Sequence, residues 1–369
     1  MFKKGFIFFF SLMIIMACSS DDSDDNLPVL VDNFDRASML TFAADQIIIP
    51  SYNDFADKMT GLKNAGLTFA NSPNQGTLDA LRTSWYDAYK KWQHVEMFNI
   101  GKAEELQYSY YMNIYPLTVS DVESNITNGN YDLDNVNYQD AQGFPALDYL
   151  LFGLSENDSE LITKYTTGSE SSGYILYLTN VLNRMDNLTQ EVLNDWNGSY
   201  RNTFINNTGN SATSSLNKLV NDFIFYYEKG LRANKVGIPA GVFSANPFPE
   251  KVEAFYKKDI SKELLLESLS AVENFFNGKK YSGSTYGESF STYLIYLDRN
   301  DINESINNQF DYARTEINSL SNNFAEQISM DNSKMTMAYD ELQKAVVYLK
   351  TDMLQAFSVN VDYYDADGD

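Results

Sequence analysis

The chain has 369 residues, of which 50 are acidic and 27 are lysine or arginine, so its formal net charge is −23. A negative field of this size repels phosphate backbones, which excludes nucleic acid as an expected partner, and it attracts cations. The single cysteine excludes an intramolecular disulfide. Because single cores stop growing at about 250–300 residues, the length predicts two domains or lobes.

The N-terminus has the layout of a secretory signal. Two lysines precede an apolar run over residues 6–16, which is shorter than the roughly 20 residues that span a bilayer. The run leads to Ala17-Cys18, which is similar to a lipobox. Residues 1–17 are therefore predicted to be a lipoprotein signal peptide, with Cys18 as the lipidated residue. An ordinary cleaved signal remains the alternative.

The stretch from Ser19 to Asn26 is polar and acidic, with aspartates at 21, 22, 24 and 25, and it opens the predicted tether over residues 18–34. A segment of this composition cannot bury a core and is predicted to be a flexible tether. An acid-rich stretch directly after the lipidated cysteine resembles a surface-export signal, and a plain periplasmic spacer is the alternative. We therefore expect an outer-membrane lipoprotein on the cell surface or the periplasmic face.

Helical periodicity dominates the rest of the chain, because apolar residues recur at steps of three or four and no comparable run alternates with period two. Thr77 is the predicted N-cap of the first clear helix and Ser261 that of a later one. The last two stripes run from Ile302 to Phe324 and from Ala338 to Phe357. The earlier stripes contain Leu78, Leu81, Trp85, Tyr89 and Trp92; Tyr174, Leu178, Val181, Met185, Leu188 and Val192; Leu216, Leu219, Phe223 and Tyr226; and Leu265, Leu269, Val272 and Phe276.

Long helices with antiparallel neighbours predict an all-α protein built as two helical-bundle lobes. The predicted boundaries are 35–165 for the N-terminal lobe and 170–360 for the C-terminal lobe, with an acidic tail over 361–369. Loops rich in Asn, Ser, Gly and Thr are expected at 125–142 and 166–173. A third loop is expected at 236–249, where three prolines should prevent a helix.

Five segments resemble the imelysin family in order and approximate spacing. They are Ile47–Phe55, Leu81–Trp92, Gly143–Gly153, Lys235–Pro239 and Val252–Tyr256. The likeness covers roughly residues 35 to 357, and it implies the imelysin fold, in keeping with the two predicted lobes. It also implies a cell-envelope protein linked to iron or haem acquisition, in a family that carries a peptidase label.

The third of these segments departs from the family's signature, Gly-x-His-x-x-Glu. Pro145 stands at the histidine position and Asp148 at the glutamate position. In the family, histidine and glutamate at this spacing could share a metal, but proline has no donor atom. Pro145 suits the first turn of a helix. Asp148 would then be a helix-start acid or a ligand-binding carboxylate.

Carboxylates are the remaining candidate metal ligands. His94 is the only histidine, so it cannot supply the His-rich ligand set of catalytic zinc, and we expect an ordinary helix residue there. Glu96, Asp148 and Glu253 lie on segments that resemble the family's inner surfaces. Hard cations such as ferric iron or calcium accept all-oxygen sites, so Asp148 and Glu96 are the predicted metal ligands.

Two basic residues and one tyrosine complete the candidate ligand-binding set. Arg82 and Lys235 could bind an anionic group or form structural ion pairs with inner carboxylates. Tyr149 follows Asp148 directly. No nucleophile elbow or phosphate-binding glycine loop is present, so nucleophilic catalysis finds no support.

The sequence thus predicts a non-catalytic lipoprotein that binds a metal, a metal complex or an envelope receptor protein in iron or haem acquisition. A peptidase with a rearranged metal site and a structural adaptor of an outer-membrane receptor are the alternatives. A peptidase would need a water-activating centre, for which the sequence offers no ligand set.

Overall fold

The computed structural model describes residues 32–209 and 211–361. These ranges form helices, turns and one isolated bridge between Lys279 and Tyr286, with no strand among them, which confirms the predicted all-α class. The signal peptide, Cys18, most of the tether and the acidic tail beyond Val361 fall outside the described residues. No described helix is both long enough and apolar enough to cross a membrane.

Eight helices carry the architecture, and we number them in chain order. They are α1 (Ile49–Asn71), α2 (Gln75–Trp92), α3 (Gly143–Asp148), α4 (Ser171–Asp195), α5 (Ser215–Phe225), α6 (Ser261–Phe276), α7 (Asn300–Asn318) and α8 (Phe324–Val347). Short α-helices cover Arg36–Phe42, Lys102–Glu105, Tyr108–Met112, Val119–Asn128, Asp158–Thr166, Arg201–Asn206, Phe290–Tyr296 and Leu354–Phe357. Segments with π-helical turns are Ala43–Ile48, Tyr149–Gly153, Trp196–Tyr200, Tyr226–Gly237 and Tyr348–Met353, and 3₁₀ turns cover Val136–Ala141 and Pro249–Lys251.

The first bundle is formed by α1, α2 and α4, with α3 packed beside them. Its interior is aromatic because the apolar stripe of α2 faces inward, and every member of that stripe is buried. The ring of Tyr89 stacks on that of Phe144 at a centroid distance of 4.3 Å and an interplanar angle of 2°. Phe55 of α1 reaches Trp92 at 5.6 Å. These contacts fix α3 against α2, and with it the segment Gly143–Gly153, here called the signature segment.

The second bundle is formed by α6, α7, α8 and the π-helical segment Tyr226–Gly237, which continues α5. Helix α6 also contacts α2, so the two bundles meet along these helices. The described residues from Phe34 onward belong to one compact unit. The functional candidates from both halves of the sequence therefore lie in the same compact unit, while the predicted lobe boundaries stay a prediction.

Three local predictions need correction. Asn74, rather than Thr77, is the N-cap of α2, and Thr77 is the third helical residue, which closes a reciprocal capping box with Asn74. Ser261 does not cap α6, because its hydroxyl donates to the carbonyl oxygen of Glu253 at 2.8 Å. The stripe from Ile302 to Phe324 is two helices. Helix α7 ends at Asn318, and Phe324 opens α8 after a turn.

Candidate functional site

Two neighbouring cavities lie where the halves of the chain meet, and Tyr115 lines both of them. The first, here called the Glu96 cavity, has a volume of about 160 Å³. It is bordered by residues that follow α2, among them Glu96 and Asn99, by several residues between 109 and 115, by Asp222 and Phe225 of α5, and by the π-helical segment. The second, here called the Asp148 cavity, has a volume of about 200 Å³. It is bordered by residues 115–117, by Pro145 and Asp148, and by Glu250, Val252 and residues 254–256. The predicted carboxylates are therefore divided between two sites.

A buried ion pair lies beside the Glu96 cavity. The Nζ of Lys235 lies 2.7 Å from Oε2 of Glu253, and both side chains are only 2% exposed. The side-chain oxygen Oε1 of Gln93 accepts hydrogen bonds from the Nζ of Lys235 at 2.8 Å and from the hydroxyl of Ser268 at 2.6 Å. The amide of Gln93 donates to Oε1 of Glu253 at 3.2 Å. Every buried charge of this pair is thus hydrogen-bonded, as burial requires.

Asn113 joins the ion pair to Glu96. Its Nδ2 donates to Glu253 at 2.9 Å and to Oε1 of Glu96 at 3.2 Å. The hydroxyl of Tyr89 donates to the Oδ1 of Asn113 at 2.7 Å, which fixes the orientation of the amide. The two carboxylates therefore share one amide donor.

Glu96 and Glu253 share the cation of Lys235, so one lysine faces two glutamates and the three ionised groups together are net negative. The side chain of Glu96 is 13% exposed, and Lys235 lies 3.8 Å from its Oε2, farther than from Glu253. The hydroxyl of Tyr226 donates to the same Oε2 at 3.1 Å. Burial raises the pKa of Glu96, and Glu253 raises it further, while Lys235 and Asn113 lower it. The site consequently favours a cation that approaches Glu96 from the cavity.

The tyrosines around these carboxylates stay neutral. Burial is the largest cause that raises the pKa of Tyr89, Tyr115 and Tyr226 well above its ordinary value, and Glu96 and Glu253 add to the effect. A neutral phenol keeps its proton, and its O–H donates a hydrogen bond to a carboxylate or amide oxygen. The walls of the Glu96 cavity therefore add aromatic surface and hydroxyl groups without adding charge.

The signature segment is held by close backbone packing. Gly143 has φ +76°, and a Cβ at this position would lie 2.3 Å from the carbonyl oxygen of Met112. Pro145 lies in the first turn of α3, where its missing N–H costs no hydrogen bond. Only glycine fits the backbone at position 143, which explains this part of the motif in purely structural terms.

Asp148 binds backbone rather than a side chain. Its Oδ2 accepts the N–H of Tyr256 at 2.8 Å, and its Oδ1 accepts the N–H of Lys257 at 2.9 Å. Burial raises the pKa of Asp148 to about 7, although the two N–H donors lower it. It is the last residue of α3, so the predicted role as a helix-start acid is wrong. Asp148 instead connects α3 to the segment that carries Glu253.

The residues present do not fit the metal centre that the family signature implies. Proline offers no ligand atom, and each oxygen of Asp148 already accepts a backbone N–H. Glu96 and Asp148 line different cavities. In the described parts of the chain, no group of three or more His, Cys, Asp and Glu residues is placed to hold a metal ion.

The other predicted residues form local pairs. Arg82 contacts both carboxylate oxygens of Asp158 at 2.8 and 2.9 Å, and it donates to the carbonyl of Leu151 at 2.7 Å. The hydroxyl of Tyr149 donates to Glu123 at 2.6 Å. His94 lies 3.0 Å from Glu267. None of these three residues borders the Glu96 cavity.

Sequence reasoning missed four polar residues of this site, namely Gln93, Asn113, Tyr226 as a hydroxyl donor, and Ser268. A signal existed for two of them. Gln93 follows the apolar stripe of α2 by one residue, and Ser268 interrupts that of α6. A polar residue adjoining an apolar face indicates a buried hydrogen-bond network.

The fold and the site together define a class, an all-α protein whose two bundles enclose an acidic, tyrosine-lined cavity. The family model for imelysin (peptidase M75) matches residues 48–353. The chain therefore belongs to the imelysin family.

Three known proteins are similar to this chain. A 112-residue stretch is 27% identical to iron-regulated protein A of Synechococcus elongatus, and it spans 30% of each of the two proteins. The crystal structure of a putative iron-regulated protein A precursor from Parabacteroides distasonis has a TM-score of 0.72 at 19% identity, over 88% of this chain and 95% of that one. An imelysin-like protein from Psychrobacter arcticum has a TM-score of 0.69 at 17% identity, over 89% and 97% of the two chains. The two structures confirm the imelysin-like fold.

Proposed function

We propose that this protein is a non-catalytic binding protein of the cell envelope, and that it holds a positively charged ligand in the Glu96 cavity. In this proposal Cys18 carries the lipid anchor, and the folded body acts at the outer membrane in iron acquisition. The single observation that carries the proposal is the net negative charge beside the cavity, because one lysine, Lys235, faces two glutamates and lies nearer to Glu253 than to Glu96.

The signature segment supports a binding role over a peptidase role. A metallopeptidase needs a metal-bound water and a general base with a free oxygen. Asp148 uses both oxygens to hold the backbone of Tyr256 and Lys257. The altered motif therefore serves the architecture of the cavity region, and it leaves the family's peptidase chemistry without a centre.

The link to iron rests on the relatives. One is named iron-regulated protein A and another a putative iron-regulated protein A precursor. Because the sequence match covers only 30% of the first relative, the names support a physiological context rather than a ligand.

The proposal is tested by thermal unfolding of the purified protein with ferrous, ferric, zinc, copper and calcium salts and with organic cations. We expect at least one cation to raise the midpoint in the wild type and in Asp148→Asn but not in Glu96→Gln. Glu156→Gln is the matched control, because the Glu156 side chain is 94% exposed. Binding lost in Asp148→Asn alone would place the site at the signature motif. The absence of any effect would favour an adaptor, to be sought by pull-down from the envelope fraction.

A further inference from the structure

The geometry of the Glu96 cavity points to a small organic ammonium ion as its ligand, in preference to a metal ion or an iron chelate. This inference rests on the proposed function and specifies its ligand class. It is carried by three features of the described residues: the size of the cavity, its hydrogen-bond acceptors and its aromatic walls.

The cavity is small. Its volume is about 160 Å³, close to that of an engineered protein cavity of about 150 Å³ that binds benzene. Sites for drug-sized ligands and cofactors occupy about 300–1,000 Å³. A macrocycle or a multidentate iron chelate therefore exceeds this space, whereas a primary amine with four to seven carbon atoms, in the size range of benzene, fits it.

The acceptors match the donors of an ammonium group. A primary ammonium carries three N–H donors and no acceptor. Glu96 offers a carboxylate whose nearest cation, Lys235, is 3.8 Å away. Asn99 also lines the cavity, and its buried Oδ1 has no hydrogen-bond partner among the described residues. Because a buried acceptor without a partner is costly, a ligand that donates to Asn99 gains that energy on binding.

A metal ion would find fewer ligands here than it needs. Calcium takes six to eight oxygen ligands, and structural zinc takes four ligands of nitrogen, sulfur or oxygen. The described residues place no group of three His, Cys, Asp or Glu side chains together. The Oδ1 of Asn113 is already bound to Tyr89. The carboxylates of Glu96 and Asp222 and the amide oxygen of Asn99 line the cavity, which is fewer ligands than either metal ion takes. Three acceptors match the three N–H donors of a primary ammonium.

The walls add a second attraction for an organic cation. Tyr110, Tyr115, Phe225 and Tyr226 line the cavity, and aromatic rings attract an ammonium through the negative potential of their faces. Tyr110 is 47% exposed although it borders the site. These rings also cover the hydrocarbon part of an amine, which a hydrated metal ion lacks.

The test is calorimetric titration of the purified protein at constant ionic strength with n-butylamine and benzylamine as hydrochlorides. Their matched neutral probes are n-butanol and benzyl alcohol, and ferric, zinc and calcium chlorides are the metal probes. We expect each amine to bind about tenfold or more tightly than its alcohol, because a charge-assisted hydrogen bond is roughly twice as strong as a neutral one. The amines should lose about tenfold in affinity in Glu96→Gln and keep their affinity in Glu156→Gln.

A second variant protects the test against misfolding. Asn99→Leu removes the unsatisfied acceptor and keeps the side-chain volume, so this variant should bind amines more weakly than the wild type. It therefore tests the same cavity independently, should Glu96→Gln fail to fold. Metal binding without amine binding would overturn this inference and leave the proposed function standing. Equal affinity for amine and alcohol, or full affinity in both variants, would overturn the inference as well. Binding of neither class would overturn both.

Discussion

The ammonium of Lys235 lies 2.7 Å from the carboxylate of Glu253, and burial leaves both side chains only 2% exposed. The two residues belong to separate segments, 18 positions apart, and Gln93 of the other bundle bridges them. This pair balances the charge of Glu253 and leaves Glu96 without a lysine of its own, at a cavity that Asp222 also lines. The ion pair is therefore a structural junction, and the negative charge of the cavity comes from the carboxylates that line it.

Lys235→Met should destabilise the protein strongly. The substitution leaves the carboxylate of Glu253 buried without its cation, which costs about 3–5 kcal/mol when one member of a buried pair is removed. Urea unfolding followed by circular dichroism would measure the change. The double variant Lys235→Met/Glu253→Gln should recover part of the loss, because it removes the buried charge as well.

Lys58→Met is the matched control for that experiment. Lys58 pairs with Asp87 at 3.0 Å, but both side chains are about 40% exposed. Exposed pairs contribute about 0–1 kcal/mol, so this variant should unfold close to the wild type. Equal losses in Lys235→Met and Lys58→Met would contradict the role assigned to the buried pair.

Asp148 should make stability fall as the pH rises. Its pKa is raised to about 7 in the folded protein, against about 3.9 for an unfolded aspartate. Between these values the folded state binds more protons than the unfolded state, so the free energy of unfolding falls as the pH rises and Asp148 ionises. The slope within this window is on the order of 1 kcal/mol per pH unit at most.

Unfolding of the wild type and of Asp148→Asn from pH 4 to pH 8 tests this expectation. The wild type should lose stability relative to the variant between about pH 4 and pH 7 and change little above that range. Asp158→Asn provides a contrast, because Arg82 lowers the pKa of Asp158 and its contribution disappears as the pH falls. Parallel pH profiles for the wild type and Asp148→Asn would refute the buried-carboxyl account.

Gly143→Ala should be far more harmful than Gly61→Ala. A Cβ at position 143 meets the carbonyl of Met112 at 2.3 Å in a positive-φ conformation, so the variant should lose at least about 1–3 kcal/mol. Gly61 lies on α1, where an added Cβ would meet no atom within 4 Å. Alanine there should stabilise the helix by about 0.5–1 kcal/mol. Similar thermal midpoints for the two variants would contradict the close packing of the signature segment.

Binding of a cation should weaken as the pH falls. Burial raises the pKa of Glu96 above its ordinary value, and a protonated Glu96 offers neither a charge nor a full set of acceptors. Titration of the purified protein with benzylamine at a series of pH values would show the affinity decline on acidification through the raised pKa of Glu96. The residual binding of Glu96→Gln should vary much less over the same pH range. A constant affinity in the wild type would exclude Glu96 as the binding carboxylate.

The sequence predicted the helices well because each apolar stripe reflects local spacing on one element. The stripe of α2 is buried throughout, as its period implies. The turn between α7 and α8 was missed because Leu320 and Phe324 keep a helical step across a chain reversal, and both are buried in the same core. Periodicity reports a shared buried face, whereas caps such as Asn323 decide where a helix ends or begins.

The site was predicted only in part because its contacts are long-range. Glu96, Glu253 and Lys235 were singled out from motif-like segments, and the structure does bring these three together. The partners of Asp148 lie 108 and 109 residues away and are backbone groups, which no side-chain pattern can reveal. Gln93 and Ser268 meet across 175 residues. Such contacts depend on how the bundles pack, and this information is absent from any single helix.

The most direct test of the binding proposal is a crystal structure of the protein soaked with the cation that gives the largest rise in melting temperature. We predict that the ligand lies in the Glu96 cavity, with a donor within about 3 Å of the Glu96 carboxylate and with Asp148 still bound to the N–H groups of Tyr256 and Lys257. A ligand found instead at Asp148, with those two backbone hydrogen bonds broken, would contradict it.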